Sequence, residues 1–288
     1  MRYEKYFEKI VDSYNLRNAD VFHRLLKNVD VVIDLSTTKT TLTVSPIPMA
    51  IEKKDEESAT LDFLRHSETT WNTDGKIQGN SQEVLVILNH ELLAAAACRA
   101  FPPKCTPDNM TSPDVHVFDA AYSGNNGRTH LTMQVLTGDL LGENCQKDAR
   151  FNEQSLGCLE GLSKDEVIKH PEFKKMLKSP TYRISAVPDS MIAETGEEVI
   201  RRMLSGIAEV AHKNAGKNVA ICCSQCSMNW LYRWLCQDYT KVLEIPNLGT
   251  ICCRYYIATN EIQLIADGVL PFTTAVEKLR TMSLVCPK

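Results

Sequence analysis

Residues 65–72 read Arg-His-Ser-Glu-Thr-Thr-Trp-Asn and begin where the apolar run Leu61-Asp62-Phe63-Leu64 ends. A histidine beside an arginine, at the mouth of a strand and ahead of an Asn/Gly-containing loop, suits the binding and attack of a phosphoryl group. Neutral His66 offers a nitrogen nucleophile, and Arg65 offers a planar guanidinium that grips two phosphoryl oxygens at once. Phosphoryl transfer also needs further donors around the equatorial oxygens and an acid for the leaving oxygen. Asn72, the N–H groups of the 75–79 loop and Arg128, at the start of a helix, are candidates for the donors. Glu153, in a turn-like segment, is the candidate acid, because nearby phosphate oxygens favour the protonated carboxyl.

These residues need a scaffold, and the hydrophobic pattern supplies one. From residue 59 onward strands and helices alternate. The pattern predicts strands over 59–64, 114–122 and 218–223, helices over 84–99, 128–137 and 227–237, and a closing hairpin of 250–257 with 261–265. Ser163-Lys164-Asp165-Glu166 is a capping box opening a helix that continues to about Met176. A second box, Thr195-Gly196-Glu197-Glu198, opens a helix whose Val199, Ile200, Met203, Leu204, Ile207, Val210 and Ala211 form a stripe for packing against a sheet. Together these make an α/β layer architecture, in which ligands bind beyond the carboxyl ends of the strands. His66, Ser123 and Ser224-Gln225 each follow such a strand.

The first 58 residues read as an N-terminal extension, with helices to about residue 27 and a β-hairpin around Thr37-Thr38-Lys39. Residues 59–288 form the main domain. Asp34-Leu35-Ser36-Thr37-Thr38-Lys39 faintly resembles a kinase phosphate-binding turn but lacks the glycine that would bring its N–H groups close to phosphate. A protein partner would dock through the extension.

Composition narrows the function classes. The 288 residues are 43% hydrophobic and 24% charged with a formal net charge of −4, and no basic stripe points to nucleic acid. No apolar run is long enough for a membrane span. The eleven cysteines are odd in number, lack framework spacing and lie partly within apolar runs, as reduced buried thiols of a cytoplasmic protein do. The histidines are scattered without metal-ligand spacing, so neither metal nor cofactor is expected.

Arg65-His66-Ser67-Glu68-Thr69-Thr70-Trp71-Asn72, followed by Lys76-Ile77-Gln78-Gly79, resembles the Arg-His-Gly-Glu-Thr…Asn…Arg-x-Gln-Gly segment of the histidine phosphatase superfamily, the phosphoglycerate mutase-like proteins. Ser123-Arg128-Thr132, the 151–162 segment, Glu194-Thr195, the 219–235 segment and Pro246-Asn247 are similar to later family segments. The resemblance spans roughly residues 59–268. It implies a three-layer sandwich with a mostly parallel central sheet flanked by helices. It further implies a phosphohistidine nucleophile at His66, phosphate binding by Arg65 and Arg128, a proton donor at Glu153, and a small phosphorylated molecule or a phosphate or sulfate anion as ligand, with no metal.

The departures shape the functional expectation. Ser67 stands where the family has glycine, Lys76 where it has arginine, and Ala193 where it has the glycine before Glu194. Ser224-Gln225-Cys226 stands in place of Ser-His-Gly. Gln225 can donate a hydrogen bond but carries no charge, and losing one charge-assisted donor costs on the order of 10²–10³ in rate. A weakened phosphatase, a catalytically inactive phosphate- or protein-binding relative, and a mutase-like phosphotransferase are the readings this leaves. Cys223-Ser224-Gln225-Cys226 is also a C-x-x-C at a helix start, where a thiol can become reactive, so redox chemistry is the rival reading.

Overall fold

In the computed structural model the described residues are 57–82, 84–98, 100–101, 117–138, 145–184 and 192–285. The helices and hairpin expected in the N-terminal extension lie outside them.

The chain enters the domain on β1 (Ser58–Arg65) and makes one turn of helix, α1 (Thr70–Thr73), then α2 (His90–Ala96). Next come β2 (Ala120–Ser123), α3 (Gly127–Thr137), β3 (Cys145–Lys147), α4 (Lys164–Lys169) and α5 (Pro171–Lys178). The long helix α6 (Gly196–Lys213) leads to β4 (Asn218–Cys223) and α7 (Gln225–Leu235), and β5 (Gly249–Tyr256), β6 (Glu261–Pro271) and α8 (Phe272–Val285) close the fold. The six strands form one sheet in the order β3-β2-β4-β1-β5-β6. The first four in that order run parallel, and β5 and β6 are antiparallel additions.

Alternation along β1 builds the layers. Leu61 and Phe63 face a core shared with Val199, Met203 and Ile207 of α6 and Met228 and Leu231 of α7. Leu64 faces the opposite core, with Leu92 of α2, Met133 of α3 and Phe272 and Val276 of α8. The period-2 pattern of one strand thus fills two helical layers. The observed fold is the expected α/β sandwich with a mixed sheet. No helix among the described residues is long and apolar enough to cross a membrane.

Three elements depart from expectation. The helix predicted over 84–99 starts only at His90, because Asn89 caps it by accepting from Leu92 N at 3.0 Å. Residues before it are extended, with Val86 bridging to Thr69. The strand predicted over 114–122 is shorter, since Val117 and Phe118 both donate to the Ala100 carbonyl and Phe118 stacks on Phe101 and Phe272. The helix predicted from Ser163 to Met176 is broken between Lys169 and Pro171, because proline cannot donate to the preceding turn and disfavours helical backbone in His170.

Asp62 sits in the middle of β1, 1% exposed, between Ala220 of β4 and Cys252 of β5. Its carboxylate oxygens lack a hydrogen bond of good geometry among the described residues, and the neighbouring Thr250 hydroxyl, 3.3 Å from the Leu270 carbonyl, offsets the burial only in part. Burial pushes this carboxyl up from 3.8 to about 8. Between those values the unfolded chain has released the proton and the folded chain retains it. Stability that is fully present below about pH 4 is therefore lost as pH rises toward 8. Asp62→Asn, which cannot ionise, should gain stability relative to the parent by about 1.4 kcal/mol per pH unit across that window. Urea unfolding at pH 5 and pH 7 measures this, and an equal difference at both values would contradict it.

Candidate active site

The carboxyl ends of β1, β2 and β4 lie abreast, with Arg65 opposite Cys223 and Ser123 opposite Cys222. His66 N continues the ladder to the Cys223 carbonyl at 3.1 Å. Backbone pairing therefore sets the histidine at the point where the chain leaves the sheet. Asn247 fastens it from the other side, donating to the His66 carbonyl at 2.9 Å, and Ser67 N donates to Thr132 Oγ1 at 3.0 Å. Ser67 is absent from the positive-φ residues, so its side chain costs no left-handed strain.

The His66 ring is 3% exposed, with Nδ1 2.7 Å from the Ser67 carbonyl. A carbonyl only accepts, so Nδ1 holds the proton and Nε2 keeps its lone pair. Burial, helped by the Arg128 and Arg65 charges, lowers the imidazole well below its usual value and keeps it neutral.

Arg128 is buried beside it and Arg65 half-buried. Arg65 Nη1 donates to the Ile245 carbonyl at 2.5 Å. Arg128 is 1% exposed and donates to the Gly79 and Ser81 carbonyls at 2.5 and 3.0 Å. The Nε of each arginine has no partner among the described residues, and neither do the buried hydroxyls of Ser67 and Ser224. Buried donors without acceptors mark a place where an anion would satisfy them.

Glu153 supplies the opposing charge. Its Oε1 accepts from Gln154 N and Ser227 N, both at 2.9 Å, and Oε2 from Cys226 N at 3.1 Å. The carboxylate thus sits on the first turn of α7, where free N–H groups favour negative charge. Its field opposes the desolvation of both arginines. Its turn is held by Arg202 of α6, which donates to the Arg150, Asn152 and Glu153 carbonyls at 2.7, 2.9 and 3.2 Å and pairs with Glu194 at 2.8 Å. Glu194 in turn accepts from Ser155 N at 3.0 Å.

Other predicted residues take different places. Asn72 Oδ1 accepts from Thr69 N and Oγ1 at 3.2 and 2.9 Å, closing the cap of α1. The N–H groups of Gly75, Lys76 and Ile77 donate to the Asn72, Trp71 and Leu162 carbonyls, and at the end of this loop the Gly79 carbonyl accepts from Arg128. Ser123 Oγ meets His130 Nδ1 at 3.1 Å. Gln225 is the half-buried first residue of α7, directly before the two N–H groups bound by Glu153. Arg202, Asn126 and Glu160 were not singled out in the sequence. The only signal for Arg202 was its place eight residues after Glu194, two helical turns along α6.

Gly79 has a φ of +48°, and a Cβ there would lie 2.3 Å from Glu160 Oε1, which already accepts from Asn80 N and Leu156 N. No side chain fits between this loop and the glutamate. Burial together with Glu153 pushes the thiols of Cys223 and Cys226 up, which keeps them protonated and poorly nucleophilic. That removes the physical basis of the redox reading. Native protein at pH 7 should accordingly alkylate at these two cysteines far more slowly than unfolded protein, by mass spectrometry after timed iodoacetamide exposure. Fast labelling of Cys226 in the native state would contradict this. Among the described residues no cluster of three His, Cys, Asp or Glu side chains has the arrangement of a metal site.

The architecture is similar to several solved structures. YhfR from Bacillus stearothermophilus superposes with a TM-score of 0.56 at 19% identity, over 75% of this chain and 99% of that one. Phosphoserine phosphatase from Entamoeba histolytica, in complex with 3-phosphoglyceric acid, gives 0.56 at 18%, over 75% and 99%. Phosphoglycerate mutase from Bacillus anthracis gives 0.54 at 19%, over 80% and 100%. At such identities the likeness concerns the fold. No curated protein matches the sequence significantly. The family model for the histidine phosphatase superfamily (branch 1) matches residues 110–267, more than half of the chain, starting downstream of Arg65-His66. With that match and the fold in agreement, the chain belongs to the histidine phosphatase superfamily.

Proposed function

We propose that this chain hydrolyses small phosphomonoesters through a phosphohistidine at His66, at a rate lowered by the neutral amide of Gln225. The observation carrying the reading is the His66 ring, neutral and with Nδ1 at 2.7 Å from the Ser67 carbonyl, among buried donors that lack acceptors. The neighbouring folds include a phosphoserine phosphatase and a phosphoglycerate mutase, which fits a phosphoryl ligand.

In this reading His66 Nε2 attacks phosphorus as the ester P–O bond breaks. Arg65, Arg128 and the Ser67 and Ser224 hydroxyls share the charge on the equatorial oxygens. The negative charge of the bound phosphoryl group drives the Glu153 carboxylate to take up a proton from solvent, and the resulting carboxyl gives that proton to the leaving oxygen, releasing an alcohol. Water then attacks the phosphohistidine and returns a proton to Glu153, freeing phosphate and neutral His66. Gln225 stands at the first turn of α7, where the family pattern has histidine, and supplies a hydrogen bond without charge.

Incubation with a labelled generic phosphomonoester should leave an acid-labile, alkali-stable phosphoenzyme in the parent and none in His66→Ala. Gln225→His should raise turnover by about tenfold or more, toward the 10²–10³ carried by a charge-assisted donor. A second reading, ligand binding without turnover, draws on both terminal nitrogens of Arg128 and Nη1 of Arg65 already being taken by backbone carbonyls. Orthovanadate binding with no phosphoenzyme in either the parent or Gln225→His would select it and overturn hydrolysis.

A further inference from the structure

Asn126 is the N-cap residue of α3, a position where the asparagine oxygen ordinarily accepts from an N–H two or three residues on. Its side chain makes no such bond among the described residues. The fully buried amide links two distant segments instead. Its Oδ1 accepts from Glu153 N at 3.3 Å, while its Nδ2 donates to Asn80 Oδ1 at 2.9 Å and to the Asn80 carbonyl at 3.3 Å. On one side lies the turn that presents the Glu153 carboxylate. On the other lies the loop whose Gly79 and Ser81 carbonyls hold Arg128.

An amide has a donor and an acceptor on opposite arms, and both arms are used here across gaps of 27 and 46 residues. At the helix start the Asn126 carbonyl accepts from Thr129 N and His130 N at 3.1 Å and from the Thr129 hydroxyl at 2.9 Å, with no part for its own side chain. We propose that Asn126 is a positioning residue that sets the separation between Glu153 and the loop embracing Arg128, and so the width of the phosphoryl pocket. The proposal rests on reading that pocket as a phosphoryl site.

A capping role and a positioning role make opposite demands on this position. Serine caps helices as well as asparagine does, but its hydroxyl is too short to bridge both segments. Asn126→Ser should therefore lower the thermal midpoint, because Glu153 N and Asn80 lose a buried partner, raise amide hydrogen exchange in residues 78–82 and 152–155, and weaken orthovanadate binding about tenfold, the effect of one to two hydrogen bonds, whereas a mere cap would leave all three unchanged. Asn126→Asp keeps an acceptor for Glu153 N and removes the donor to Asn80, so exchange should rise in 78–82 alone. Unchanged exchange in both segments overturns the bridge. Raised exchange with unchanged orthovanadate affinity overturns its role in setting the pocket. If the parent binds no orthovanadate, the phosphoryl reading fails with it, and exchange in the two variants still decides whether Asn126 joins the segments.

Discussion

Two guanidinium groups, one buried and one half-buried, and a buried carboxylate meet at the carboxyl ends of three parallel strands. Buried charge is tolerable only when it is paired and hydrogen-bonded. Much of the surrounding structure serves that requirement. Glu153 faces Arg65 and Arg128, and its oxygens rest on N–H groups of α7 that would otherwise lack partners. The arginines use backbone carbonyls of loops drawn over them.

The loops are consequently more ordered by polar contacts than by apolar burial. The 78–81 loop is held by Gln78 to Thr69 at 2.8 Å, by Asn80 to Glu160 at 3.1 Å and by Asn126 to Asn80 at 2.9 Å. The Glu153 turn is held by Arg202, itself paired with Glu194 on the neighbouring segment. Such networks act as units, and removing one member leaves others buried without partners. Asp62 is the contrast. It has no pairing of this kind and stays neutral instead, at a cost that grows with pH.

The helices with caps and a full apolar stripe were legible in the sequence. Thr195 and Ser163 cap where predicted, and α6 buries the predicted face except for Leu204, which is half-buried. β4 runs over the predicted residues 218–223, and α3 begins one residue before Arg128. Local interactions decide these elements, so a local reading finds them. The 84–99 segment misled because an apolar run at the edge of a helical pattern is equally compatible with an extended segment. The structure resolves it through Asn89, whose cap starts the helix late, and through a bridge from Val86 to Thr69, 17 positions away.

Within the candidate site, residue types pointed to Arg65, His66, Arg128 and Glu153, and the structure brings those four together. The sequence by itself determined which groups could carry charge or attack phosphorus, because ionisation and nucleophilicity belong to the side chains. It also determined that Gln225 cannot carry charge. Only the tertiary structure decided which tautomer His66 adopts, that Asn72 closes a cap and that the 75–81 loop turns carbonyl oxygens toward Arg128. It alone joined Asn126 to Glu153 and Asn80. These are contacts between segments distant in the chain, and a hydrogen bond depends on position and direction, which only the packed fold supplies.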